Sequence, residues 1–381
     1  MHVEKIQKIV LVGGGHSHIT VLEQLANHPL SGGQLTLITD SQTTIYSGMV
    51  PGFVAGQYRQ EELEIDIKRL AQQAKAYVVL SKAVKIDTKE QQILLENGPP
   101  IHYDIASFDI GATMVGRDLP GIRQHTTTTR PLGLFIKQVD KIVQAAQKHY
   151  STTTPFRIVV VGAGMGGIEL AFTLQQRLQQ NISTTIQILI LQNKPRILAH
   201  YADSLVRRVH QLGKERDIRI QCNRKVVAVE PNTVILADGE RIHCQAILWV
   251  TGPASQPMFK ESGLSTDNSG FVRVHSTLQI ENQTNLFATG DCATLIDYPQ
   301  TSKAGVYAIR QGTFITRNIR ALLSGKPLQS YRPQKDFLAH INLGDGRALG
   351  TKWGRLVEGK WVMTLKDWID KSFVKRFQSH A

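Results

Sequence analysis

Two stretches of this chain join an apolar, β-branched run to glycines at fixed spacing, a combination suited to holding phosphate. The first is Lys8-Ile9-Val10-Leu11-Val12-Gly13-Gly14-Gly15-His16-Ser17-His18, and the second is Arg157-Ile158-Val159-Val160-Val161-Gly162-Ala163-Gly164-Met165-Gly166-Gly167-Ile168-Glu169. A strand that ends in glycines and runs straight into a helix brings backbone N–H groups and the positive end of the helix dipole to one point. A pyrophosphate is stabilised there. In the first stretch Gly13 is expected to make the tight turn and Gly15 to let backbone approach the ligand, with His16 and Ser17 opening the helix beside it. His18 stands where a third glycine would be, so strand and helix should pack less closely at that point. In the second stretch all three places are glycine, at Gly162, Gly164 and Gly167.

Each loop is followed by a further strand pattern, whose end should meet the ribose of a dinucleotide. Gln34 to Thr39 ends at Asp40, a carboxylate roughly 20 residues beyond the loop, positioned to accept ribose hydroxyls. The alternative is that Asp40 only opens the turn with Ser41. Ile186 to Leu191 ends at Gln192 with no acid, and Lys194 and Arg196 follow where a 2′-phosphate would be neutralised. The alternative for these two cations is solvated surface charge.

Further segments converge on the same ligands. Thr44 to Gly52 reads as a loop along the first dinucleotide, where Gly48 and Pro51 permit close approach to a flat ring; the alternative is a loop with a hydrophobic plug. Two strand patterns run into small residues, at Gly111-Ala112 and at Gly252, and let the chain cross near a ligand. Thr289-Gly290-Asp291 can set one carboxylate against a polyol, and Asp291 is the candidate for a flavin ribityl chain. After Lys303 and Ala304 a helix begins, whose dipole and the lysine would stabilise the reduced ring.

The elements that must position these residues alternate strand and helix, predicting an α/β fold with two Rossmann-like dinucleotide-binding units. Helices are predicted over 61–74 and 132–149, and strands over 76–80, 84–87, 92–95 and 101–110. Threonine clusters at 126–129 and 151–155 read as loops at a domain junction. Residues 1–120 with 265–334 are expected to form a discontinuous FAD domain, 121–264 an inserted NAD(P) domain, and 335–381 a small C-terminal region.

The chain has 381 residues, enough for two or three domains, and carries a net charge of +13 with a pI near 9.6. An acidic partner is implied. No basic block interleaved with aromatics occurs, so nucleic acid is not expected. Cys222, Cys244 and Cys292 show neither redox nor metal-ligand spacing, no metal site is expected, and a reducing compartment is implied. With no long apolar segment near the first strand, the expected location is cytoplasmic, with peripheral membrane contact through the basic amphipathic segment 364–377. There Leu365, Trp368, Ile369 and Phe373 are expected on one face and Lys366, Lys371 and Lys375 toward the flanks. Packing on the core or in a homodimer is the alternative.

Two glycine loops, Thr289-Gly290-Asp291 and a closing helix resemble the two-dinucleotide-binding-domain flavoproteins, the pyridine nucleotide-disulfide oxidoreductases and type II NADH:quinone oxidoreductases. Residues 13–18, 46–52, 303–312 and 344–350 look more specifically like the NADH-dehydrogenase-like module fused to selenophosphate synthetase in some organisms. The resemblance implies that Gly13, Gly15, Asp40 and Asp291 contact FAD and that Gly162, Gly164 and Gly167 serve NAD(P)H. It also places Glu169 where the quinone reductases keep a glutamate near both rings. Glu169 and Lys303 are the catalytic candidates. No CxxxxC accompanies the first loop, so a dithiol relay has no residues to run on. The expected activity passes hydride from NAD(P)H to flavin and electrons to a quinone-like acceptor. A flavin redox sensor, or a reductase of a selenium or sulfur compound, is the alternative.

Overall fold

The computed structural model describes residues 6–149, 154–181 and 185–378. Two parallel five-stranded sheets are built to one plan. At the centre of the first is Gln7–Val12, flanked by Gly33–Thr39 and then Tyr77–Leu80 on one side, and by Ile105–Phe108 and Leu286–Ala288 on the other. At the centre of the second is Phe156–Val161, flanked by Ile186–Leu191 and Ile218–Gln221, and by Ala246–Trp249 and Thr127–Thr128. The central strands are buried on both faces, which is why they read as continuous apolar runs rather than alternating ones.

Helix α1 (His16–Asn27) leaves the first central strand and α2 (Met165–Asn181) leaves the second. Helix α3 (Gly305–Leu323) crosses α1 closely. Gly312 permits this, because a Cβ there would run into the Ser17 carbonyl and lie 2.8 Å from Thr20 Cβ. Ser17 Oγ donates to the Ala308 carbonyl at 2.6 Å across the crossing. A three-stranded antiparallel sheet (Ala339–Asn342, Ala348–Lys352, Arg355–Gly359) leads into helix α4 (Lys360–Gln378).

Several local expectations are corrected. Residues 61–74 are a turn, the short strand Glu64–Asp66 and the helix Ile67–Gln73, the helix capped by Asp66, which accepts from Arg69 N–H. The expected loop 44–52 is largely helical, over Ser47–Met49 and Val50–Val54. The strand 101–110 is two, Ile101–His102 and Ile105–Phe108, which join different sheets. Thr127–Thr128 is an edge strand rather than loop, while most of the second threonine cluster lies outside the described residues.

Helix α4 departs furthest from its sequence pattern. Its buried face is Val362, Met363, Lys366, Asp370, Val374 and Phe377. Trp368 is 67% exposed, and Ile369 is also exposed. The i, i+4 ion pair Lys366–Asp370 (2.6 Å) lets Lys366, expected toward a flank, be buried together with Asp370. Among the described residues no helix is long and apolar enough to cross a membrane.

Candidate functional site

At the carboxyl ends of both sheets the glycine turn and the neighbouring strand exit lie side by side, as at the switch point of an open α/β sheet. The backbone pairs are equivalent. Gly13 N–H donates to Ile38 and Asp109 N–H to Val12, just as Gly162 N–H donates to Leu191 and Val250 N–H to Val161. Gly13 and Gly162 both have positive φ (+93° and +112°), which an L side chain rarely adopts.

In the second unit the glycines divide the work. A Cβ at Gly167 would run into the Gly162 carbonyl, so this residue serves the contact between helix and strand. At Gly164 and Gly252 an added Cβ would meet nothing within 4 Å. That open cradle fits a dinucleotide. Lys194 is exposed, but Arg196 is engaged by the Tyr201 carbonyl and Asp203, both at 2.7 Å.

The first unit is more crowded. His18 is fully buried; its Nδ1–H donates to the Gly13 carbonyl (2.8 Å) and its Nε2 accepts from Ser107 Oγ (2.9 Å). Burial pushes its pKa down to about 4, so the ring is neutral. It bridges helix and strand where a glycine would let them touch. Ser17 is buried too, and its N–H and that of His18 donate to Asp109 Oδ2 at 2.7 and 3.3 Å. Ser17 and His18, both read as cofactor-binding candidates because they open the helix after the glycines, turn their side chains into the core and have both amides engaged. Gly15 makes room for the Asp109 carboxyl, which a Cβ would overlap. Burial raises that carboxyl to about 7 against the opposing effect of the two amides, with Asp291 adding to the rise.

Around this centre lie Asp40, exposed at the end of its strand, and Gly111, where an added Cβ meets nothing. Asp291 is paired with Arg130 at 2.8 Å, and Arg130 also donates to the Ala112 carbonyl (3.1 Å). The His16 ring lies 5.5 Å from Tyr46 and 6.4 Å from Phe373, with its Nε2 buried and without a partner. A buried ring nitrogen without a partner next to the first glycine loop fits a polar cofactor. Gly48 packs against the Tyr46 ring and gives its carbonyl to Lys366 (2.7 Å), and Pro51 is buried in the first turn of a helix. Lys303, expected to act on the ring, is held by the Ala293 carbonyl, Thr294 Oγ1 (3.0 Å) and the Phe271 ring (4.2 Å), and lines one cavity with Gly290, Asp291 and Ala304. Ala304 caps α3 next to it.

Glu169 sits in the first turns of α2, and its Oε1 accepts Asn342 N–H at 2.8 Å. Burial raises its carboxyl to about 7, while Lys366 and the amide oppose the rise. Lys366 pairs with Asp370, and Asp370 accepts from Tyr46 Oη (3.1 Å). Burial raises the Tyr46 phenol further above its ordinary range, and Asp370 adds to it. His340, with Nε2 orphaned, is driven down to about 4 by burial and by Lys366. Sequence reasoning missed Asp109, Arg130, His340 and the inward face of α4. Only the Lys366-x-x-x-Asp370 spacing and the acid ending Phe108-Asp109 offered a signal. A separate open cleft of 260 Å³ beside Arg157, Arg219 and Arg241 touches neither glycine loop.

The family model for pyridine nucleotide-disulphide oxidoreductases matches residues 7–312. The chain belongs to this family. Such an oxidoreductase binds FAD and NAD(P)H, and this one is an NAD(P)H-dependent flavin oxidoreductase. It is 23% identical over 330 residues to the NADH dehydrogenase-like protein YutJ of Bacillus subtilis, covering 86% of this chain and 87% of that one. It is 24% identical to the demethylphylloquinone reductase NdbB of Synechocystis over 359 residues, 90% and 85% of the two chains. In fold the oxidoreductase is similar to NDH2 from Plasmodium falciparum in complex with NADH (TM-score 0.83, 13% identity, 98% and 96% covered). It is also similar to a sulfide:quinone oxidoreductase from Aquifex aeolicus (TM-score 0.81, 20% identity, 98% and 92% covered).

Proposed function

We propose that this oxidoreductase passes the electron pair from NAD(P)H through FAD to a planar, quinone-like acceptor. In this reading the FAD domain is 1–120 with 265–334, the NAD(P) domain is 121–264, and 335–381 completes the acceptor site. Gly13, Asp40, Gly111, Ala112 and Asp291 hold FAD, with Arg130 fixing Asp291, and Gly162, Gly164 and Gly252 admit the nicotinamide nucleotide. Bound FAD supplies hydride acceptance and stepwise release of the pair.

The observation that carries the acceptor is the cluster of buried Glu169, Lys366 and Asp370 with half-buried Tyr46, closed by the C-terminal region. Reducing a quinone consumes protons as well as electrons. A carboxyl held near 7 can hold or give a proton at the working pH, and Lys366 keeps the negative charge affordable to the fold after it leaves. The demethylphylloquinone reductase among the relatives supports the same acceptor class. Lys303 acts here as a positioning residue that anchors the start of α3.

Peripheral membrane contact belongs to the same reading. Trp353, Trp361 and Trp368 are 73%, 59% and 67% exposed in the C-terminal region. Basic side chains accompany them, including Lys352, whose ammonium lies 4.4 Å from the Trp353 ring. Amphipathic aromatics with cations suit an anionic lipid interface. That would place the protein at the cytoplasmic face of a membrane.

Anaerobic stopped-flow tests the reading: flavin absorbance should bleach with NADH or NADPH and recover on adding a soluble quinone. Bleaching without quinone-driven recovery would refute the acceptor, and absence of bleaching would refute hydride entry. Cosedimentation with anionic vesicles, lost on replacing Trp361 and Trp368 by alanine, tests the membrane face.

A further inference from the structure

Asp109 stands where a nucleotide-binding helix ordinarily offers bare N–H groups to phosphate. Its carboxylate takes the amides of Ser17 and His18 and fills the space above Gly15, and its Oδ1 lies 2.6 Å from where a Cβ of Gly290 would be. One side chain thus touches the glycine loop, the strand exit and the Gly290-Asp291 turn. Its register counterpart in the second unit is Val250, and there the equivalent Gly164 is open.

We propose that Asp109 is a proton-coupled cap of the flavin site: it closes the N-terminus of α1 and takes up one proton when the FAD pyrophosphate docks there. The proposal rests on FAD lying along the first glycine loop. Two phosphate charges and a carboxylate at one helix end repel strongly in a buried setting, and Asp291 adds a second carboxylate. The repulsion is removed if Asp109 is protonated. Its free carboxyl, already held near 7, accepts that proton readily at neutral pH.

On α1, burial lowers both His16 and His18, so neither carries charge above neutral pH. On the Gly290 turn Asp291 is paired with Arg130, and the Cys292 thiol is pushed up to about 12 by burial. Lys303 is bound to Ala293 and Thr294, and burial lowers its pKa, so an Asp109 variant is needed to separate the two. Because the pKa of Asp109 is higher with FAD bound than without, affinity is greatest and flat below the free value. Above it, affinity falls by up to about tenfold per pH unit.

The test dilutes flavin-loaded protein into buffers from about pH 6 to about pH 9 and reads released FAD by its fluorescence. Wild type should lose FAD progressively above about pH 7, while Asp109→Asn should hold it at the acid-limit affinity across the range. Asp109→Ala, which removes the carboxyl altogether, should also be flat and serves if the asparagine variant misfolds. A flat wild-type profile, or the wild-type slope persisting in either variant, overturns the proposal. Asp40→Ala, at an exposed position, tests the underlying placement separately. It should weaken FAD without changing the slope, and unchanged affinity would count against FAD on this loop rather than against the coupling.

Discussion

The two glycine loops share the pairing of their central strand, its register and the turn geometry, and differ in what stands against the helix that follows. At the second loop the third glycine lets α2 touch its strand, and Gly164 looks into open space. At the first, His18 replaces that contact with two hydrogen bonds, and Asp109 occupies the helix N-terminus. One backbone plan therefore accommodates either van der Waals closeness or a buried polar network, provided every polar atom finds a partner. The motif specifies the turn. The neighbours specify what the turn can bind.

The third position breaks the comparison most sharply. Restoring the motif with His18→Gly should destabilise the protein by about 3 kcal/mol, since it opens a cavity and strips Ser107 of its buried partner. Gly167→Ala should cost about 2 kcal/mol or more by forcing a methyl into the Gly162 carbonyl. Urea midpoints measure both, and a neutral His18→Gly would show that the network is dispensable. Next comes Gly164→Val, whose Cβ would meet no protein atom within 4 Å and which should leave the urea midpoint nearly unchanged. It should slow flavin bleaching by NADH by about 100-fold, near 2.7 kcal/mol. Bleaching at the wild-type rate would move the nicotinamide nucleotide off this loop.

Each unit also buries one acid beside its glycine helix, and Glu169 sharpens the contrast. Its pKa is raised in the folded chain from the ordinary 4.5 to about 7. Its contribution to stability is therefore full below about pH 4.5 and is lost as pH rises through about 7. Glu169→Gln stays neutral, so it should be more stable than wild type by on the order of 2 kcal/mol above pH 7, with the gap closing toward pH 4.5. Thermal midpoints across that range check it; a constant gap would mean that Glu169 does not titrate there. Smallest is Lys194→Ala, which should change the NADPH-to-NADH preference by about threefold, as one exposed cation in water is worth under 1 kcal/mol. A change of two orders of magnitude would make Lys194 a dedicated phosphate ligand.

Much of the fold was legible because its signals are local. A β-branched run ending in glycine, twice, predicts strand, turn and helix from neighbouring residues alone. Residues 61–74 misled for the same reason: their helical spacing is genuine, but pairing of Glu64–Asp66 with Thr43–Ile45 claims the first part as strand. In α4 Leu365, Trp368, Ile369 and Phe373 read as one apolar face, for a membrane surface or for packing, yet it is Lys366 and Asp370 that turn inward, to the Gly48 carbonyl and the Tyr46 hydroxyl. Lys303 read as a ring contact because it precedes a helix; that Phe271, distant in sequence, packs against its ammonium was not legible from its neighbours.

By itself the sequence determined the two nucleotide-binding units, the absence of a third glycine at His18 and the missing acid at Gln192, because these depend on residue type and spacing within one strand-turn-helix. Only the tertiary structure decided that Asp109 caps α1, that Arg130 grips Asp291 and that a buried ion pair closes the second acid. The first two contacts join residues 92 and 161 positions apart, and Lys366 of the ion pair also reaches the Gly48 carbonyl, 318 positions away. Charge at such a range is settled by which side chains the packed sheets bring into one low-dielectric space.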